Sequence, residues 1–505
     1  MDAIQKFELK RAGRGLLALG ITLALGACAV GPDFHRPAAP VSKDYAPNGT
    51  PVATSSTSGP DGNAQQFVRD MDIPGQWWTL FHSEPLNALI DDSIKHNPDL
   101  AAAQDALRAA MENVRAQQGQ FFPQVTASVD PTRQKTGSVI ASGVVSNATL
   151  YNLTTAQLSV SYTPDLWGAN RRSVEALVAQ ADAQRFQLEA TYLTLTANVV
   201  NAAVTEAALR AQIAATQDMI DSQQKILDAN RKQLALGDLG DADIAAQVAT
   251  LEQTRATLPP LQKQLAQQRD LLAMLSGRTP DQDIQAKFEL EGLQLPQDLP
   301  MSLPARLVEQ RPDVRMAEAN LHAACAQVGV AFAARLPNIA ITANGGSAAD
   351  QMHNLFGSGT SFWNLGAAIT APIFDGGTLK HRQRAAEAAY RQAAEQYRST
   401  VMSALQNMAD SLHAAQSDAD ALVASSRAER AAARSLEIAQ RQYAAGDISM
   451  VALLNAQVTY RQAELSLIQA RAARYADSVT LFQAVGGGWW NRRDMAASTG
   501  FNASK

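Results

Sequence analysis

"ANRRSVEALVAQADAQRFQLEATYLTLTANVV", Ala169 to Val200, opens a run that reaches Leu236 without a single glycine or proline. Without a breaker the run predicts one continuous helix, about 100 Å long at 1.5 Å per residue. Globular helices average only about three turns. A second run of the same length, Thr378 to Ala445, repeats the feature. The first run carries Arg171, Arg172, Glu175 and Asp182, so it cannot cross lipid and must stand in an aqueous compartment. In the second, Ala385, Ala386, Ala388, Ala389, Ala393 and Ala394 allow close packing on more than one side, as a ring of helices requires.

The flanks of the two runs also repeat. "NPDL" at Asn97 opens a helical stretch closed by Pro123, and "RPDV" at Arg311 opens one closed by Pro337. Proline at a helix start and again beyond its end is the expected punctuation. "LALGDLGDADIAAQ" (Leu234 to Gln247) follows the first run and "YAAGDISMVALLNAQ" (Tyr443 to Gln457) the end of the second. Gly237 and Gly446 are thus the turns at which each long helix reverses, because glycine adopts φ > 0 without steric cost. The return helix runs to Val485 in the second copy, whereas Pro259-Pro260 interrupts it in the first. A duplicated unit follows: residues 71–300 and 301–490, with a tail at 491–505.

The β-like material lies between the short and the long helix of each copy. "QVTASVD" (124–130), "QLSVSYT" (157–163), "NIAITAN" (338–344) and "NLGAAITAPI" (364–373) alternate with period two. Leu365, Ala367, Ile369 and Ala371 share one face of the last, opposite Asn364, Gly366, Ala368 and Thr370. Strands apolar on one face suit an outer-membrane barrel; a soluble hairpin under a helix is the plainer alternative. The Gly- and Ser-rich segments 131–155 and 345–361 are expected as loops. Four bilayer-spanning strands cannot close, and open edges would leave N–H and C=O groups unpaired in lipid, so strands must be shared in an oligomer.

Lys6, Lys10, Arg11 and Arg14 precede the apolar Leu16–Leu25, which ends at Leu25-Gly26-Ala27-Cys28. This is a secretory signal whose end resembles the lipobox of bacterial lipoproteins, giving a signal peptide 1–27, acylated Cys28 and an extended, poorly ordered arm 28–70. Cleavage removes four positive and two negative charges, so the net charge passes from −5 to −7 (−5 − 2). No basic block with interleaved aromatics occurs, which argues against nucleic acid. No apolar run of helical-span length follows residue 30. There is no His-Glu-x-x-His, P-loop, complete Gly-x-Gly-x-x-Gly or Cys-x-x-Cys, so neither catalysis nor a cofactor nor a bound metal is expected. Met301, Met352 and Met450 are dispersed and give a copper-handling role no support.

Taken in order, "GPDFHRP" after Cys28, "WWTLFHSEPLNALI", "NPDL", "QRPDV", "PIFDGG", "YAAGDIS" and "AVGGGW" resemble the outer-membrane factor (TolC-like) family. The resemblance is to its lipoprotein, NodT-like branch serving RND-type tripartite efflux pumps. It spans about residues 28 to 490. It implies a mainly α fold with a transmembrane β-barrel: a homotrimer with a 12-strand barrel continued by a 12-helix periplasmic α-barrel. The implied partners are a periplasmic membrane-fusion adaptor, an inner-membrane RND-type pump and outer-membrane lipid. The implied function is a passive, gated, non-enzymatic conduit for small molecules. A type I protein-secretion channel, or a trimeric coiled-coil adhesin or spacer, are the alternatives. In relatives, residues just past the second turn glycine narrow the closed aperture with an apolar ring and carboxylate rings. The matching positions are Val451, Ala452 and Asn455, of which Ala452 and Asn455 depart from the acidic pattern. Asp447, with Asp238, Asp241 and Asp243 of the first copy, is expected to keep the entrance negative instead.

Overall fold

The computed structural model describes residues 29–38, 40, 42, 44–47, 49–137, 149–236 and 240–492. The signal segment, Cys28, Gly237 and Asp238 lie outside them. Nine α-helices occur among the described residues: α1 Glu84–His96, α2 Pro98–Gln118, α3 Ala169–Leu236, α4 Asp241–Ala256, α5 Leu258–Leu275, α6 Pro304–Gln310, α7 Pro312–Ala333, α8 Thr378–Ala445 and α9 Met450–Ala484. The six strands are β1 Gln66–Arg69, β2 Gln124–Lys135, β3 Leu150–Tyr162, β4 Asp298–Met301, β5 Asn338–Ala349 and β6 Ser361–Thr370. Both glycine- and proline-free runs are single helices of 68 residues. Pro259 and Pro260 fall in the first turn of α5, where their missing N–H groups cost nothing, and the return helix breaks there into α4 and α5. None of the described helices is long and apolar enough to cross a membrane.

The chain divides into two compact units. The first is built from 1–36, 107–183 and 317–397, and the second from 37–106, 184–316 and 398–505. The first contains an antiparallel sheet of order β2-β3-β5-β6. Val125 lies opposite Val160, Leu158 opposite Gly345 and Ile341 opposite Ala367, so the apolar residues of all four strands share one face. The strands run through much of the segments expected as loops. Pro131 is accommodated because β2 is an edge strand. At Gly346 a Cβ would meet the Ala156 carbonyl oxygen at 2.2 Å, so the glycine lets two strands approach rather than ending one. At the far end, β6 stops at Thr370, two residues before Pro372.

The second unit has an aromatic core. Trp77, Trp78 and Phe81 are buried; Trp77 stacks on Phe482 of α9 at 5.3 Å, and Phe81 lies 6.2 Å from Tyr475. Trp489 donates its indole N–H to the Gln310 carbonyl at 2.6 Å and meets Phe186 edge-on. It packs within this unit. The arm differs from its expectation. β1 pairs in parallel with β4, and Thr54, Gln65 and Phe67 are buried. The buried Arg474 of α9 donates to the carbonyls of Asp61 and Asn63 and to Gln65 Oε1, while Tyr475 donates to Asp61 Oδ1. A polar, proline-rich composition hides a segment held by polar side chains from far along the chain.

Candidate functional site: the sheet face and the helical tip

Two features of the chain face outward with no covering of their own. The first is the apolar side of the sheet. Trp363 is 82% exposed, Ile369 73% and Val125 64%, with Leu158 and Leu365 also exposed. The opposite side carries Thr126, Ser128, Gln157, Ser159, Thr342 and Asn344. A soluble sheet turns its apolar face onto a core. Here that face is open, strands of 10–13 residues match a tilted span of hydrocarbon, and the outer edges of β2 and β6 have no neighbour among the described residues.

The second is the helical tip. α8 ends at Ala445, Gly446 adopts φ +81°, and the N–H groups of Gly446 and Asp447 reach back to the carbonyls of Tyr443 and Gln442 at 3.0 and 2.9 Å. Those bonds satisfy the carbonyls that a helix end leaves orphaned. Ser449 then caps α9, accepting from the N–H of Ala452. From this cap the 3.6-residue period sorts the side chains. Met450, Leu453, Leu454 and Gln457 are buried, the first three with Ala439, Ile226 and Tyr443 around them. Val451, Ala452 and Asn455 form the outward strip, Val451 at 55% exposure. Asp447 and Asp241 are exposed, and Asp241 and Asp243 lie in the first turn of α4, where the helix dipole favours acids.

Beneath the strip lies a buried polar knot with no counterpart in the sequence reading. Asn230 of α3 accepts from Tyr443 Oη at 3.2 Å and donates to Gln247 Oε1 of α4 at 2.8 Å. Burial, and secondarily the nearby Asp243 carboxylate, raise the Tyr443 hydroxyl above its ordinary pKa, so it stays a donor. Gln457, fully buried on α9, has neither amide atom bonded. Gln247 and Gln457 end the two matching stretches, "IAAQ" and "LNAQ". A polar residue at a buried helical position in both copies is the signal the sequence holds for it.

With this geometry in place the comparisons with known proteins agree. Residues 89–278 and 303–487 match the outer membrane efflux protein family. The chain is 29% identical over 491 residues, 96% of its length, to the antibiotic efflux pump outer membrane protein ArpC of Pseudomonas putida, covering 97% of it. The same figures hold for the toluene efflux pump outer membrane protein TtgC, also of Pseudomonas putida. Among solved structures, the open-state MtrE outer membrane channel of Neisseria gonorrhoeae matches with a TM-score of 0.78 at 26% identity, over 92% of this chain and 99% of that one. Fold, exposed sheet and reversing helices define an outer-membrane channel with a periplasmic helical extension. The chain belongs to the outer membrane efflux protein family and is a non-enzymatic component of an efflux pump system.

Proposed function

We propose that three copies of this chain close one 12-strand barrel in the outer membrane and continue it as a 12-helix periplasmic conduit, closed at rest by the tip. The observation that carries this is the four-stranded sheet with an exposed apolar face and two open edges. In lipid each unpaired backbone group costs several kcal/mol, and three copies placed edge to edge leave none. Acylation of Cys28 adds a lipid anchor; mass spectrometry of the mature N-terminus tests it, and an unmodified Cys28 would contradict it. A periplasmic adaptor and an inner-membrane RND-type pump supply the cargo, since the chain carries no motif for nucleotide hydrolysis. The substrates in the relatives' names, antibiotics and toluene, support small molecules rather than proteins.

Val451 supplies the apolar ring of the gate and Asn455 a neutral one, with Ala452 between them adding bulk only. The turns at Gly237 and Gly446, with Asp238, Asp241, Asp243 and Asp447, form a negative rim. In planar bilayers the purified full-length protein should show small resting currents with weak block by periplasmic divalent cations. Strong divalent block that Asn455→Asp leaves unchanged would place the constriction elsewhere.

A further inference from the structure

Charge is sparse in the four-stranded sheet, and it is sorted by face. Asp130, Arg133 and Lys135, all of β2, are the charged residues of its strands. The pairing of β2 with β3 runs unbroken from Gln124–Ser161 to Lys135–Leu150, with no bulge to reset the alternation of side chains. Arg133 and Lys135 therefore share the exposed apolar face with Val125 and Val129, while Asp130 lies on the polar face with Ser128. Both cations are exposed, and neither makes an ion pair among the described residues. The connection 136–149 carries no acidic residue. β2 follows α2 and β3 leads into α3. With the helices in the periplasm, Gln124 and Tyr162 stand at the inner end of the sheet, and Lys135 and Leu150 at the outer end. At about 3.3 Å per residue and a tilt of about 40°, Arg133 and Lys135 stand roughly 20 and 25 Å above Val125, and the apolar band of such barrels is about 25 Å tall. The lipid side of this hairpin thus changes character once. Val125, Ala127 and Val129 stand opposite Val160, Leu158 and Ala156; above them Arg133 stands opposite Asn152.

We propose that Arg133 and Lys135 clamp a phosphate of the phosphorylated glycolipid that forms the outer leaflet of a Gram-negative outer membrane, with its acyl chains along Val129 and Leu158. The inference rests on the sheet spanning that membrane as part of a trimeric barrel, and adds the lipid it holds. Height is the first support. A charge on the lipid face is costly at the bilayer centre and nearly free at its margin, where these two stand. Face is the second. A cation that needed only water would be served on the polar side, where Asp130 and Gln134 lie; on the lipid side it meets headgroups instead. Spacing is the third. Residues two apart on one strand face lie about 7 Å from each other, so both long side chains reach one phosphate, the guanidinium with parallel donors and the ammonium as a point charge. Below them Leu158 is 57% exposed and Val129 56%, an apolar track for hydrocarbon. The inner end of the same face carries Val125 and Ile339 and no charge within the strands, so the device belongs to the outer leaflet alone.

Native mass spectrometry tests this on the full-length protein, delipidated in mild detergent and titrated with lipid A carrying both its phosphates. The trimer should take up lipid A, and dephosphorylated lipid A and phosphatidylglycerol should bind about tenfold more weakly, the sum of two modest exposed ion pairs. Arg133→Gln with Lys135→Gln should lower lipid A binding to the level of the dephosphorylated form, Lys135→Gln alone should lower it less, and Asp130→Asn should leave it unchanged. The same spectra show whether each variant still assembles, and the comparison of lipids on the unaltered protein decides the matter if the double variant does not. Inorganic phosphate in hundredfold excess should leave the lipid bound. Equal binding of dephosphorylated lipid A or of phosphatidylglycerol, displacement by inorganic phosphate, or full binding by an assembled double variant would overturn the clamp and leave the trimer standing. A monomer that takes up no lipid A would overturn both.

Discussion

Asn230 holds the helical tip together from within. It is buried and joins the end of α8, through Tyr443, to α4, through Gln247. Removing one partner of a buried pair costs about 1–3 kcal/mol, because the other is left without water or protein to bond. Asn230→Ala should therefore raise resting current and speed amide exchange across residues 443–457, whereas Tyr443→Phe, which removes one bond, should do less of each. Val451→Ser should raise the leak without altering exchange, since Val451 is exposed and lies outside the buried cluster of the tip. Asn455→Asp should strengthen divalent block: three carboxylates around a narrow axis repel by about 1 kcal/mol per pair at 4 Å in bulk-like solvent, and a cation relieves that. Asp477 of α9 predicts a pH dependence. Burial first, and then the neighbouring Asp418 of α8, push its carboxyl up to about 7, and its Oδ2 is buried without a donor. Arg474, which pulls the other way, has its Nη groups committed to the arm. A raised carboxyl stabilises the fold fully below its ordinary value of 3.8, and this is lost as pH rises through about 7. Exchange protection of residues 53–66, corrected for intrinsic rates, should fall about tenfold from pH 5.5 to 8.5. Asp477→Asn should flatten that dependence. None of these partners can be paired from sequence, because Asn230 and Tyr443 are 213 positions apart and Arg474 lies 413 beyond Asp61.

At the scale of elements, what the chain forbids is legible in the sequence and what it tolerates is not. Sixty-eight residues without glycine or proline leave a helix no place to stop, so α3 and α8 are bounded to the residue. The strands read too short because Pro131, Gly345 and Gly346 look like punctuation, whereas an edge strand accepts the proline and a close strand crossing requires a glycine. The arm misleads for the converse reason: composition measures apolar content, and what orders this arm is a set of polar bonds to α9. At Gly446 the constraint is one of backbone conformation alone, since a Cβ there would meet nothing within 4 Å. A β-branched side chain at φ +81° costs about 1–2 kcal/mol. Gly446→Val should accordingly fray the start of α9, seen as faster exchange at residues 447–453, with the sheet unaffected.

For the whole molecule, the duplicated unit decides the architecture. One copy cannot bury its apolar strand face or satisfy its strand edges, and two copies in one chain still leave both edges of a four-stranded sheet open. The pattern of exposure is therefore an apolar face suited to lipid, with two open edges that the proposed trimer would pair. That the chain is an efflux channel of the outer membrane rests on its family; how many chains make a channel rests on those edges. Native mass spectrometry of the full-length protein, extracted from outer membranes in mild detergent, measures that number directly. The account predicts a single species at three times the mass of the mature chain. A monomer under the same conditions, with the sheet still folded, would contradict it.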